Sequence, residues 1–365
     1  MTSSATKLHR WDNIYTEFKK NQQIWDLFTK KDEYNPKKLD KYGRPTFKTS
    51  NQENILVPWV SEYLNKTGFQ PEYIDGKKFT IFLSHDVDDI DISGRHIFRS
   101  FIPYPFHRHK LGFKKFVSAY FKKQKPFINF KEIFKIEKKY NATSSFFFLA
   151  TERDVFGHKY KLDDILNEIS YISENECEIG LHTGFYSFDD INQIKQEKKK
   201  LEDVAGTKII GVRNHLFRFT IPRSWKLLSL AGFEYASSLG YSDMIGFRNG
   251  ICYPFKPYDL VENKKIDIIE IPPCVADIAM FSYMNINAYK AWEYIQNLID
   301  TVEQLGGVLT ILWHNWTFSY PVSYSGLFGK EWTKLYEKIL EYGHKKNAWL
   351  TNGKNISDFI SKTWI

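Results

Sequence analysis

Short apolar runs recur along the chain at 80–83, 145–149, 178–182, 209–213, 233–237, 266–271, 308–314 and 348–351. They are rich in β-branched and aromatic residues, which fit a pleated, buried surface. Each run predicts a strand. Between them the apolar positions fall at helical spacing, which predicts helices over 162–175, 191–205, 222–231, 288–305 and 330–342. The punctuation agrees. Gly206 follows one helical stretch, Pro222 opens another that Gly232 closes, and Gly306-Gly307 ends a third. About eight strands alternating with helices predict an α/β chain with a parallel sheet.

Two stretches stand outside this rhythm. Residues 1–77 carry Trp11, Tyr15, Phe18, Trp25 and Phe28 at roughly helical spacing, broken by Pro36, Pro45 and Pro58, with a short helix expected over 55–64. They are expected to form an extension packed on a main domain of residues 78–365. Residues from about 90 to 140 read as an insertion after the first strand, with helices over 114–121 and 130–140. Its His107-Arg108-His109 cluster is either an exposed loop or a site for phosphate or metal.

Several strands run directly into polar chemistry. The first drives into Ser84-His85-Asp86-Val87-Asp88-Asp89. Asp86 and Asp88 are two apart, so on a continuing strand both face the same way. Two converging carboxylates repel unless a cation or proton lies between them. A helix cap with acids in its first turn is the competing reading of this stretch. Further strands end at His182, at Arg213 followed by Asn214-His215, and at His314. In a parallel barrel such ends converge on one face, where the chemistry of these folds sits.

Composition narrows the picture. With 51 Lys and Arg against 43 Asp and Glu, the net charge is +8, which suits a phosphorylated substrate or an anionic surface. The lysine runs lie on predicted helices and read as solvated faces. No zinc-finger or RNA-binding spacing is present, so nucleic acid is not the expected partner. Cys177, Cys252 and Cys274 are odd in number and far apart, which argues against a disulfide framework and suits a reducing compartment. The first residues lack an apolar run and no stretch approaches a membrane span, so a cytoplasmic protein is expected, with basic surface available for peripheral membrane contact. An aromatic share of 17% leaves rings available to stack on sugars.

From about Lys78 to Tyr320 the motif order resembles that of polysaccharide deacetylases of the NodB-homology type (carbohydrate esterase family 4). The resemblance implies a distorted (β/α) barrel of seven or eight strands and one divalent metal, usually zinc. It implies Asp86 as catalytic base, Asp88 and His182 as metal ligands, Arg213 as the residue orienting the base, and His314 as general acid. The family's His-Ser/Thr-x-x-His motif reads His182-Thr183-Gly184-Phe185-Tyr186, so its second histidine is Tyr186 here. His215 is the candidate replacement ligand, with a supporting or substrate-facing position as the alternative. Asp277 is the candidate acid behind His314. Arg248, Trp313 and Tyr186 are candidate substrate contacts. The implied activity is removal of an acetyl (N-acyl) group from a saccharide; with no export signal and a positive charge, the expected substrate is an intracellular, nucleotide- or lipid-linked precursor of a surface polysaccharide. The alternatives are hydrolysis of a non-sugar amide, or an inactive sugar-binding barrel.

Overall fold

A computed structural model describes residues 11–92, 117–155, 157–158, 160–319 and 330–363. The strands of its main sheet are β1 Phe79–Val87, β2 Ser145–Leu149, β3 Glu178–Thr183, β4 Gly211–Asn214, β5 Tyr235–Ala236, β6 Ile269–Glu270, β7 Pro273–Ala276, β8 Val308–Leu312 and β9 Ala348–Thr351. The sheet order is β6-β5-β4-β3-β2-β1-β8-β7, and every pairing is parallel. β9 pairs with the first half of β1, on residues Phe79 to Phe82, while β2 pairs with its second half.

The two edges of this sheet, β6 and β7, are consecutive in the chain and separated only by Ile271 and Pro272. The sheet therefore has to curl until its edges meet. Pro272 and Pro273 lack the N–H a ladder needs, so the chain changes edge there. The register shifts between Pro273 and Val275 as β7 joins β8. A parallel curled sheet places all its strand C-termini at one end. The sequence predicts a single strand ending at these prolines; they instead mark the seam between two.

The strands are buried on both faces, as parallel strands covered by helices must be. Every residue of β1, β2 and β3 is buried. Gly180 in β3 allows close layering, because a Cβ there would lie 2.6 Å from the Phe147 ring. The helices Ile191–Ala205 and Ala288–Leu305 have the predicted bounds, each closed by a left-handed glycine. The stretch 162–175 divides into a 3-10 turn, Leu162–Ile165, and a helix, Leu166–Glu174. A final helix, Gly353–Thr363, has no counterpart in the sequence reading, because its polar face hides the pattern. Of the insertion, residues 93–116, and with them His107, Arg108 and His109, lie outside the described residues. Helix Phe130–Glu137 is described and buried along one face.

Helices Trp11–Phe18, Gln22–Thr29 and Trp59–Lys66 of the N-terminal stretch share the main hydrophobic core. Tyr15 and Trp25 pack edge-on against Tyr258, and Gly250 O accepts the Val60 N–H at 2.8 Å. Under them lies a buried ion pair between Glu33 and Arg248. Burial resists charge on Glu33, but Arg248 and Lys30 outweigh it and hold the carboxyl below its usual range. Breaking a buried pair strands the remaining charge, at about 3–5 kcal/mol. Glu33→Gln is therefore expected to lower the free energy of urea unfolding by an amount of that order, whereas Lys20→Gln on the exposed face leaves it almost unchanged.

Candidate active site

The strand C-termini gather the charged residues. Asp86 is the penultimate residue of β1 and Asp88 follows the strand. Alternation puts both on the inner side of the sheet end, where they line a cavity of about 60 Å³. His85 points the other way. Its Nδ1 lies 2.7 Å from Trp313 O and its Nε2 3.1 Å from Glu137 Oε1, which also accepts the Tyr336 hydroxyl. No helix starts at Asp86 to Asp89, so the helix-cap reading of these acids falls away. The same cavity is lined by His182 from β3, His215 after β4, Ala276 from β7 and His314 after β8.

Asp88, His182 and His215 each offer one ligand atom, all within 4.8 Å of one another. The hydrogen bonds set the tautomer of His182. Its Nδ1 lies 2.9 Å from Arg213 O, and a carbonyl can only accept, so Nδ1 carries the hydrogen. Its Nε2 then faces Asp86 Oδ2 at 3.5 Å and Asp88 Oδ1 at 3.4 Å. A ring nitrogen facing two carboxylate oxygens calls for a cation or a proton between them. His215 is held likewise, with Nδ1 3.0 Å from Asp154 Oδ1 and Nε2 3.6 Å from Asp88 Oδ2. Burial opposes charge on His215, yet Asp88 and Asp154 raise its pKa to about 9. A cation bound there would have to displace that proton, which makes binding pH-dependent. One carboxylate and two imidazoles, each fixed through its far nitrogen, fit a divalent ion of the zinc type.

Asp86 is fixed from below. Arg213, fully buried, donates through Nη1 to Asp86 Oδ1 at 2.8 Å, and through Nε and Nη2 to Ser237 O and Oγ. Its guanidinium stacks on Phe147, 4.4 Å from the ring centre. Desolvation would push the Asp86 carboxyl up, but Arg213, His182 and His314 outweigh it and hold it down. Across the cavity, His314 Nδ1 lies 2.7 Å from Asp277 Oδ1, while Asp277 Oδ2 accepts the His314 N–H and the Thr317 hydroxyl. Trp316 stacks on the His314 ring, with centres 4.7 Å apart. Burial disfavours the imidazolium, but Asp277 foremost, then Asp88 and Asp86, raise His314 to about 9. The site thus pairs an ionised carboxylate with a protonated imidazole, the arrangement general acid–base chemistry needs.

Seven of the ten residues singled out from the sequence meet here: Asp86, Asp88, His182, Arg213, His215, Asp277 and His314. Three do not. Arg248 is a correction: it is buried, spent on Glu33 and on Gly240 O, and does not line the cavity. Trp313 is another, because its ring is buried against Trp332 and Tyr336 on the helical side. Tyr186 is 57% exposed, packs on Phe185 and lies outside the cavity lining. Asp154, Arg44, Ser242 and Tyr283 escaped the sequence reading. They come from a two-residue ribbon, the N-terminal stretch and connecting turns, and no local motif marks them.

No protein-family model matches the chain, and no curated protein matches it. Solved structures do. A Mycobacterium smegmatis protein described as a polysaccharide deacetylase is 16% identical, with a TM-score of 0.52 over 80% of this chain and 93% of that one. A peptidoglycan deacetylase, PdaC, from Bacillus subtilis is 11% identical, with a TM-score of 0.34 over 78% of this chain and 92% of that one. A CE4 family pseudoenzyme from Bacillus anthracis is 12% identical, with a TM-score of 0.36 over 77% and 66%. The first likeness establishes a shared fold, the distorted barrel of the NodB type.

The pKa of His314 can be measured directly. In the metal-free protein its imidazole is expected to titrate near 9 by NMR, and Asp277→Asn should bring it toward the ordinary value of about 6.5. The sign follows from the raised value. The His314–Asp277 pair stabilises the fold fully below about pH 6.5, and that contribution disappears as pH rises through about 9. An unchanged titration in Asp277→Asn would contradict this assignment.

Proposed function

We propose that this chain, with the fold of a polysaccharide deacetylase, is a metal-dependent hydrolase that removes an acetyl (N-acyl) group from a sugar. One observation carries the reading. A ligand set of Asp88, His182 and His215 sits between a carboxylate held by arginine and an imidazole held by aspartate. A sugar-binding module has no need of an aligned base and acid.

Asp88 and the Nε2 atoms of His182 and His215 would hold the ion. A divalent cation there supplies Lewis acidity for the scissile carbonyl and lowers the pKa of water. Asp86 accepts the proton of the attacking water; Arg213 keeps this carboxylate ionised and aimed. His314 delivers its Nε2 proton to the departing amine, and Asp277 stabilises the imidazolium before transfer. Asp154 and the Arg213 carbonyl orient the two ligand imidazoles. The substrate we favour is an acetylated saccharide built on a phosphorylated carrier as a precursor of a surface polysaccharide. The net charge of +8 suits such an anion, and the three free cysteines suit a reducing compartment.

Purified protein equilibrated with zinc is expected to retain one equivalent by elemental analysis, and His182→Ala or His215→Ala to retain none. Asp86→Asn should keep the metal but lose about 10²–10⁴ in acetate release from acetylated sugars. Protein that binds no divalent ion at any concentration would rule the reading out.

A further inference from the structure

The cavity has a wall that the barrel does not supply. Arg44, from the N-terminal stretch, lines it together with Asp86, Asp88 and the three histidines. It is only 2% exposed. Its Nη1 donates to Leu216 O at 2.5 Å, in the turn after β4, and its Nη2 reaches the Tyr283 hydroxyl at 3.4 Å, at the end of the π-helical segment Ala279–Tyr283 that follows β7. Leu216 and Tyr283 also line the cavity, so one guanidinium bridges two segments of its rim. The charge of Arg44 is already met by Asp40, through Nε at 2.9 Å and Nη2 at 2.7 Å. Arg44 therefore acts as a bar rather than as a binding group for an anion.

The bar belongs to a fastened strap. Asp243, buried beside the cavity-lining Ser242, accepts the Phe47 and Lys48 backbone N–H groups at 2.8 and 3.3 Å. Gln52 Nε2 donates to Phe247 O, and Ile55 O accepts the Phe247 N–H. On the barrel side, Leu216 and Phe217 both have left-handed backbones, with φ of 59° and 53°. Side-chain-bearing residues hold that conformation only where the surroundings enforce it, and the bond from Arg44 to Leu216 O is one such restraint. The strap thus shapes the turn that directly follows His215.

A site that acts within a polymer needs a groove open at both ends, so that chain can leave on either side of the reacting sugar. We propose that the strap over residues 40–55, with Arg44 as its specificity-determining residue, closes one end of this site. The substrate class is then a monosaccharide unit or the terminal sugar of a chain, and internal sugars are excluded. This rests on the hydrolase reading given above.

The test uses the full-length, zinc-loaded protein with acetylated mono-, di- and pentasaccharides, the products being located by mass spectrometry. Acetate lost only from monosaccharides and terminal sugars is the expected result. Acetate lost from internal sugars of the pentasaccharide overturns the strap inference and leaves the hydrolase standing. No acetate from any member overturns the hydrolase reading itself. In Arg44→Ala, and to a smaller extent in Tyr283→Phe, attack on internal sugars should rise about tenfold relative to terminal ones, the scale on which pocket shape discriminates. Thermal melts identify any variant that fails to fold, and Tyr283→Phe, which removes one hydroxyl, guards against that outcome. A folded Arg44→Ala or Tyr283→Phe with an unchanged ratio would show that Arg44 does not set the specificity.

Discussion

The contact between Arg213 and Asp86 is the interaction on which the site depends. It joins β4 to β1 across the barrel end, beneath the cavity. A fully buried guanidinium is tolerable only when its donors are satisfied and its charge is met. Here Ser237 takes two donors, Asp86 takes the charge, and Phe147 supplies a face to stack on. Phe147 can lie flat because Gly180 presents no side chain against it. A glycine and a phenylalanine from adjacent strands, with a serine just after β5, thus determine how one carboxylate stands.

That arrangement creates an electrostatic demand. Asp86 and Asp88 line a cavity of about 60 Å³, with Asp154 behind His215 and Asp277 behind His314, and Arg213 meets the charge of Asp86. Protons on the imidazoles, or a metal ion, would offset the negative charge gathered there. The raised values of His215 and His314 express this demand in the absence of metal. The two histidines answer it differently. His215 turns Nε2 toward Asp88 and His182, inside the ligand cluster. Against burial, His314 is raised foremost by Asp277, which stands outside that cluster, and then by Asp88 and Asp86. The two imidazoles thus stand in different surroundings, which suits the separate roles of ligand and acid proposed for them.

Much of this was legible in the sequence because burial on both faces leaves apolar runs, and because chemistry at strand ends in a parallel sheet must converge. His182, Arg213 and His314 could be placed on one face from strand order alone. The seam at Pro272-Pro273 was not legible, since prolines that end a ladder read alike whether the chain leaves the sheet or changes edge. Arg248 illustrates the opposite error. A lone arginine in a glycine-flanked turn looks available, and its partner Glu33 lies 215 positions away. Asp154 and Arg44 were missed for the same reason: their meaning depends on His215 and Leu216, which only the fold brings near.

On the proposed reading, this barrel end holds a metal, with His215 in place of a ligand that the local motif lacks. Anomalous diffraction from crystals soaked in zinc tests it most directly. One ion is expected within roughly 2.0–2.2 Å of an Asp88 oxygen and of Nε2 of His182 and His215, with Asp86 still on Arg213. An ion bound by other residues, or a cavity free of anomalous density at saturating zinc, would contradict it.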